Sequence, residues 1–398
     1  MANELGPAYQ PCSYPHPLDS TQDHQISLPY ADYIAKMREI ITQNRCDLES
    51  SIAPNWTPNM IIDANSPHQH LPPPTATNAH IGILIIHGLF DSPYSMLNIY
   101  EYFAKQNYTV RSLLLPGHGT RAGDLLRVTY QDWIRTVRYA VNSFKEQVNY
   151  LYLVGYSTGG TLALHHILTE HHTVTGVVTL APALKLKNVL THLAPWHDYI
   201  FVWGEHREWF SIQSEIDIGR YRSIPYNAVK QIYLLSRRVI GLEQAWTGLS
   251  IPQYMILTAD DEVIDSTYAK KNFQQYATSN SELLWYCKHP TVTIDPRIIQ
   301  QYSSCFEQHI LDFSHCCITV APEHPFYGKE GYFRDMQHYQ NRWGQWLFSQ
   351  HQYKPLYFGA VTLNNLFRYH LCRLGYNPYF LEMIKSIEQF IQKHAKDN

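Results

Sequence analysis

Short apolar runs alternate with segments of helical periodicity from about residue 81 onwards. Five runs have the length of single strands: 81–86, 109–115, 150–154, 176–180 and 253–258. The continuous apolar character of 81–86 is typical of a strand buried on both faces of a parallel sheet. The intervening segment 130–147 carries one apolar stripe at helical spacing: Trp133, Val137, Ala140 and Phe144. The pattern predicts βαβ units on a mostly parallel sheet, which is an α/β fold.

This pattern lapses in two parts of the chain. Residues 1–79 contain many prolines and predict an N-terminal extension ending in a linker. Residues 184–249 interrupt the alternation and predict an insertion that covers the sheet domain as a cap or lid. The core is then expected from 80–183 and 250–398, with C-terminal additions to the sheet domain.

Composition excludes several classes of function. Only 16% of the residues are charged and the formal net charge is −3, so no basic surplus exists for nucleic acid. The longest apolar run, 81–89, is far shorter than the roughly 18 residues that a transmembrane segment needs. The N-terminus resembles no secretory signal, and a cytoplasmic location is expected.

Neither metals nor cofactors are indicated. The 22 histidines and 7 cysteines lack the spacing of a metal site or a disulfide framework, and the cysteines are expected as free thiols. No strand is followed by the glycine pattern of a dinucleotide-binding loop. We therefore expect no metal and no organic cofactor.

The strongest chemical signal is Gly155-Tyr-Ser157-Thr-Gly159, which follows an apolar strand and precedes a helical segment. A nucleophilic serine on a sharp strand-to-helix turn needs small residues two positions away on either side. Ser157 is the predicted nucleophile. At the start of the helix, the N–H of Thr158 would face the oxyanion that forms during acyl transfer.

A second strand ends in His87-Gly88, and this glycine allows the following loop to turn toward the serine. The N–H of Leu89 is the predicted second oxyanion donor. Two such donors matter because losing one typically costs about 3 kcal/mol of transition-state stabilisation.

Three motifs occur in the order His87-Gly88, Pro116-Gly-His118-Gly-Thr120 and Gly155-Tyr-Ser-Thr-Gly159. In this the chain resembles carboxylesterases and monoacylglycerol lipases, chiefly bacterial, of the α/β-hydrolase superfamily. The resemblance covers roughly 80–183 and 250–328 and the final helix. It implies an α/β-hydrolase fold with an inserted cap, and an acid and a histidine that follow the nucleophile in the chain.

The strand 253–258 leads into Asp260-Asp261-Glu-Val, where the resemblance places the orienting carboxylate. Asp261 is the predicted acid. Asp260 is its immediate rival, and Asp265 lies farther beyond the turn.

His315 is the predicted base, because it ends a short apolar run in the region after the acid. His324 is its main rival, followed by His309 and His289. The assignment is complicated by two candidate final strands, 283–287 and 309–313, since the true strand determines which loop carries the base.

Together these residues predict a serine hydrolase that cleaves a small-molecule carboxylic ester through an acyl-enzyme. The alternatives are a thioesterase, amidase or acyltransferase with the same residues, or a catalytically silent protein that binds a ligand. The cap is rich in aromatic residues: Trp196, Tyr199, Phe201, Trp203, Trp209 and Phe210. An apolar cap suits an acyl chain and leads us to expect contact with a lipid surface. The alternative is that the same residues form the small core of the cap. The sequence leaves the oligomeric state open.

Overall fold

The computed structural model describes residues 6–12, 16–18, 28–46, 55–170, 173–187, 208–292, 294–340 and 342–396. Its α-helices are α1 Tyr30–Asn44, α2 Pro58–Asn65, α3 Leu97–Lys105, α4 Tyr130–Lys145, α5 Thr158–Thr169, α6 Tyr226–Ile240, α7 Glu243–Thr247, α8 Ser266–Tyr276, α9 Arg342–His351, α10 Leu363–Arg368 and α11 Phe380–Lys396. Its strands are β1 His68–His70, β2 Ile81–Ile86, β3 Thr109–Leu113, β4 Tyr150–Tyr156, β5 Gly176–Leu180, β6 Trp209–Ser211, β7 Ile224–Pro225, β8 Gln253–Thr258, β9 Glu282–Cys287, β10 Ile298–Tyr302, β11 Leu356–Gly359 and β12 His370–Arg373.

Within the described residues, eight strands form the central sheet in the order β1-β3-β2-β4-β5-β8-β9-β10. All neighbours are parallel except β1, which pairs antiparallel with β3. Helices connect most of the parallel strands and pack against the sheet, which buries the full length of β2 and β8. This architecture confirms the predicted α/β-hydrolase fold.

The helix stripes read from the sequence pack into the main core. In α4, the four predicted stripe residues are all buried, and Thr129 begins the helix with a reciprocal capping box to Asp132. The last helix, α11, lies against the sheet and receives a hydrogen bond from Tyr152 Oη at the Ile391 carbonyl, 3.0 Å away. The core is therefore closed on that side by the end of the chain.

Two edges of the sheet differ from the sequence-based expectation. Residues 68–70, which we placed in the linker, form the edge strand β1. The candidate final strand 309–313 is wrong, because Ile310 makes only isolated bridges to Cys305 and Phe358. The last strand of the central sheet is β10, Ile298–Tyr302, a half-exposed edge strand whose mixed apolar and polar sequence lacks a buried-strand signature.

A small unit precedes the final helix, and we call residues 335–373 the C-terminal insertion. It contains α9, α10 and the parallel pair β11 and β12. It has a small core of Tyr339, Leu347, Leu366 and Leu371, which Leu311 from outside the insertion completes. The buried carboxylate of Asp312 binds the Asn365 side chain and the Ala360 N–H, so the insertion is anchored to the sheet domain.

Candidate active site

Ser157 occupies the turn between β4 and α5. Its backbone has φ 52° and ψ −112°, a conformation that a non-glycine residue adopts only when its surroundings enforce it. The surrounding structure does so, because the Ser157 N–H donates to the Leu180 carbonyl of the neighbouring strand at 2.9 Å. The hydroxyl is thereby raised above the carboxyl end of the sheet.

The two glycines of the motif are required by close backbone contacts. A Cβ at Gly155 would lie 2.4 Å from the Gly159 carbonyl oxygen, and a Cβ at Gly159 would lie 2.1 Å from the Ile86 carbonyl oxygen. Both distances are far shorter than a van der Waals contact. The atoms that the Cβ would meet belong to the backbone, so they cannot move aside as a side chain could. The tight approach of α5 to β2 and β4 therefore depends on these positions.

Loops distant in sequence bring the predicted base and acid to the serine. His315 Nε2 lies 3.0 Å from Ser157 Oγ, and His315 Nδ1 lies 2.7 Å from Asp261 Oδ2. Asp261 Oδ1 accepts the N–H groups of Val263 and Ile264, so both carboxylate oxygens are engaged. All three side chains are buried, which gives the nucleophile–base–carboxylate geometry needed to activate a serine.

The rival acids have other partners. Asp260 Oδ2 accepts a hydrogen bond from the Ser303 hydroxyl at 2.7 Å, and Asp265 caps α8 through the Tyr268 N–H. The structure thus places the carboxylate of Asp261, and not that of Asp260 or Asp265, against the His315 ring.

The rival histidines are likewise engaged elsewhere. His324 Nδ1 accepts the N–H groups of Phe326 and Tyr327, and burial lowers the pKa of His324 to about 4. His309 is exposed beside the Leu356 carbonyl, and His289 is exposed after β9. The structure places His315, rather than these three, beside the serine.

Leu89 and Thr158, the predicted oxyanion donors, both line the cavity that contains Ser157. Thr158 begins α5, so its N–H belongs to the first helical turn, where the N–H groups have no acceptor within the helix. Gly88 lets the Leu89 loop pass close to the nucleophile, because a Cβ there would lie 3.3 Å from Ser157 Cβ and 3.0 Å from the Tyr156 ring. The arrangement directs two backbone segments toward the serine.

Two neutral histidines, which the sequence did not assign to catalysis, support this loop. Burial lowers the pKa of His87 to about 4 and that of His118 well below its ordinary value. His118 Nε2 accepts the Phe90 N–H at 3.2 Å, while His87 Nε2 accepts the Leu115 N–H at 3.0 Å. Each ring is an acceptor only when that nitrogen is deprotonated, so the loop geometry requires neutral imidazoles.

A chain of ion pairs supports the loop that carries His315. Glu262 Oε2 accepts the His315 backbone N–H at 2.9 Å, and Glu262 Oε1 lies 3.1 Å from Arg373 Nε. Asp335 lies 3.3 Å from Arg373 Nη1 and 3.2 Å from Arg222 Nη2. Desolvation raises the pKa of Glu262, and the Arg373 guanidinium opposes that rise. The chain joins the acid loop and the base loop to the cap and the C-terminal insertion.

The cavity above Ser157 has a volume of about 680 Å³. Cap residues and the C-terminal insertion both line it, the latter through Gln337, His338 and Val361. Its wall also holds charged groups that the sequence reasoning missed, including Arg220, whose guanidinium lies 4.2 Å from the Tyr327 ring centre and whose Nε lies 3.5 Å from Asp91. No local pattern identifies such groups, because they come from separate loops.

Within the described ranges, no cluster of three or more His, Cys, Asp or Glu side chains could hold a metal ion. All seven cysteines are free thiols, and burial raises the pKa of Cys316 beside the base. A raised pKa disfavours the reactive thiolate, so the site offers a serine rather than a cysteine nucleophile. None of the described helices is both long enough and apolar enough to cross a membrane.

Comparison with known proteins places the chain among related sequences. The family model described as serine aminopeptidase, S33 matches residues 77–289. A thermostable monoacylglycerol lipase from Bacillus sp. (strain H-257) is 26% identical over 242 residues, which is 59% of this chain and 93% of the lipase.

Solved structures give weaker matches. A structure of the metagenome-derived lipolytic enzymes LipS and LipT has a TM-score of 0.48 at 22% identity, covering 56% of this chain and 87% of its own. A monoacylglycerol lipase of Paleococcus ferrophilus has a TM-score of 0.44 at 14% identity, covering 56% and 88%.

Proposed function

The chain belongs to the serine aminopeptidase S33 family, and on that premise we propose that it hydrolyses small carboxylic esters with Ser157 as nucleophile. Membership confirms the resemblance to α/β-hydrolase serine enzymes that the motifs indicated. One observation carries the proposal: Ser157 Oγ lies 3.0 Å from His315 Nε2 in the wall of a large cavity. The 26% identical relative, a monoacylglycerol lipase, favours ester chemistry.

In the proposed reaction, His315 Nε2 takes the proton of Ser157 as Oγ attacks the carbonyl carbon of the ester. Asp261 holds His315 in the tautomer with the proton on Nδ1 and stabilises the imidazolium. The N–H groups of Leu89 and Thr158 stabilise the tetrahedral oxyanion. The ester C–O bond then breaks, and His315 returns its proton to the leaving alcohol. A water, deprotonated by His315, attacks the acyl-enzyme and releases the acid and the free serine.

The substrate class is bounded by the cavity. Its volume of about 680 Å³ is within the range of small-molecule sites, and apolar residues such as Leu186, Val229 and Ile232 form part of its wall. An ester with an acyl chain of moderate length fits this space. The cap aromatic residues at 196, 199, 201 and 203 lie outside the described residues, so lipid contact through the cap stays a prediction, as does a cytoplasmic location.

The test is hydrolysis of p-nitrophenyl esters of increasing acyl length by wild type, Ser157→Ala, His315→Ala and His324→Ala. We expect the first two variants to lose at least about 10⁴-fold in kcat, because the members of such a triad act as a unit. His324→Ala serves as the matched control and should retain ester turnover if it folds. Activity in Ser157→Ala equal to wild type would overturn the proposal.

Two further substrates separate the alternatives. An acyl thioester tests thioesterase activity, and an aminoacyl p-nitroanilide tests the peptidase activity named in the family description. Preference for either by kcat/KM would keep Ser157 as nucleophile and replace the ester as substrate. A fluorophosphonate probe that fails to label folded wild-type protein would favour a catalytically silent binding protein.

A further inference from the structure

The C-terminal insertion exposes large apolar side chains. Trp343 is 42% exposed and Trp346 is 54% exposed, one helical turn apart on α9, while Leu363 and Phe367 are 67% and 52% exposed, one turn apart on α10. The rings of Trp343 and Phe367 meet edge to face with centroids 5.8 Å apart, so the two helices present one continuous patch. We call these four residues the aromatic patch.

The insertion already has its own core, so the patch is not left over from poor packing. Leu347 and Leu366, on the same two helices, are buried at 1% and 5%. Each helix therefore buries a leucine in that core and still leaves its patch residues exposed. Contiguous exposed apolar side chains of this kind mark an interaction surface more often than a neutral surface.

The charge of the segment indicates the partner. Residues 336–372 contain three cationic residues, Arg342, Lys354 and Arg368, and no aspartate or glutamate, in a chain whose formal net charge is −3. All three cations are exposed, and Arg342 and Arg368 are adjacent in sequence to Trp343 and Phe367. Tryptophan beside arginine suits the boundary between lipid headgroups and acyl chains, where the ring enters the apolar layer and the cation meets anionic headgroups.

The patch is mechanically close to the cavity of Ser157. A Cβ at Gly344 would lie 2.0 Å from the His338 carbonyl oxygen, so the first turn of α9 rests directly on residue 338. Gln337 and His338 line the cavity. The helix α9, which carries part of the aromatic patch, therefore contacts the cavity wall without an intervening element.

We propose that the aromatic patch docks the protein on an anionic phospholipid surface, which positions the Ser157 cavity beside esters dissolved in that surface. The docking role rests on the proposed ester hydrolysis for its purpose, but binding itself requires no catalysis. The contact lies on the C-terminal insertion, whereas the sequence pattern had suggested the cap.

The experiment measures binding to vesicles of phosphatidylglycerol and phosphatidylcholine and to vesicles of phosphatidylcholine alone, by co-sedimentation at low and high salt. Wild type and Ser157→Ala should bind the anionic vesicles equally, and high salt should weaken binding. Trp343→Gln with Trp346→Gln should lower partitioning at least about tenfold, since two interfacial rings are lost. Arg342→Gln and Arg368→Gln should each lower partitioning about fivefold.

Matched controls lie elsewhere on the surface. Phe306→Gln removes an exposed ring that is 71% accessible, and Lys36→Gln removes an exposed cation of α1, so neither should change vesicle binding. Thermal unfolding shows whether each variant folds, and hydrolysis of a dissolved p-nitrophenyl ester should be unchanged in the patch variants.

The two proposals fail separately. No vesicle binding by wild type, together with normal hydrolysis of the dissolved ester, would overturn the docking role and leave the ester hydrolase intact. Equal activity in Ser157→Ala would overturn the hydrolase and leave the vesicle result standing. A dimer in light scattering that Trp343→Gln with Trp346→Gln abolishes would reassign the patch to contact between copies and overturn lipid docking, as would equal binding by the patch and control variants.

Discussion

Replacing Asp261 by asparagine tests the proposed tautomer control with the smallest change in shape. Asp261 Oδ1 accepts two N–H groups, from Val263 and Ile264, at 2.8 and 2.9 Å. An asparagine must keep its oxygen on that side, because its NH2 group cannot accept those donors. The NH2 group then faces His315 Nδ1 in place of the carboxylate oxygen that lies 2.7 Å away.

The substitution therefore reverses the tautomer of the His315 imidazole. An NH2 donor facing Nδ1 requires Nδ1 to accept, so the proton moves to His315 Nε2, which points at Ser157 Oγ. A protonated Nε2 cannot take the hydroxyl proton. We expect kcat to fall about 10⁴-fold, equivalent to about 5 kcal/mol of barrier, with little change in KM.

The assay is steady-state hydrolysis of a p-nitrophenyl ester, with thermal unfolding as the test of folding. Asp260→Asn is the matched control, because the Asp260 carboxylate accepts a hydrogen bond from Ser303 and does not contact His315. It should retain activity within about tenfold of wild type. Folded Asp261→Asn with near wild-type kcat, or an equal loss in both variants, would refute the assignment of Asp261.

Three further predictions concern the scaffold. Gly159→Ala should prevent stable folding or lower the free energy of unfolding by several kcal/mol, on the order of 3 or more, because its Cβ would lie 2.1 Å from the Ile86 carbonyl oxygen; denaturant unfolding measures this. Arg373→Met should cost on the order of 2 kcal/mol of unfolding free energy and lower kcat. It removes the cation paired with the Glu262 carboxylate, which accepts the backbone N–H of His315. Urea titration measures the stability and ester turnover measures kcat, and unchanged values would contradict the role of this pair. Acid should destabilise the protein through His87, whose ordinary pKa of 6.5 burial lowers to about 4. Between these pH values the unfolded chain binds the proton and the folded chain does not. The contribution of His87 to the free energy of unfolding is therefore complete above the upper value, and about 2 kcal/mol of it is lost by pH 5. A His87→Gln variant that folds should show a shallower fall in urea titrations across this range.

Local steric rules let the sequence determine the serine and the strands. Gly155 is demanded by its contact with the Gly159 carbonyl within the turn, and Gly159 by the Ile86 carbonyl of the adjacent strand β2, so five consecutive residues mark the predicted nucleophile. The buried strands of a parallel sheet need apolar residues on both faces, so continuous runs such as 81–86 report their own position. These features depend on a short turn motif or on burial, and both leave a local pattern in the sequence.

Which histidine faces the serine depends on the tertiary fold, because that contact joins residues 158 positions apart. The sequence offered four histidines for the base, and the path of the loops after β9 selects among them. The edge strands β1 and β10 were missed for a related reason, since a half-exposed edge has no continuous apolar run. The contribution of Arg220 and the C-terminal insertion to the cavity also arises from loops that meet in space, and no local physical constraint on the sequence records such a meeting.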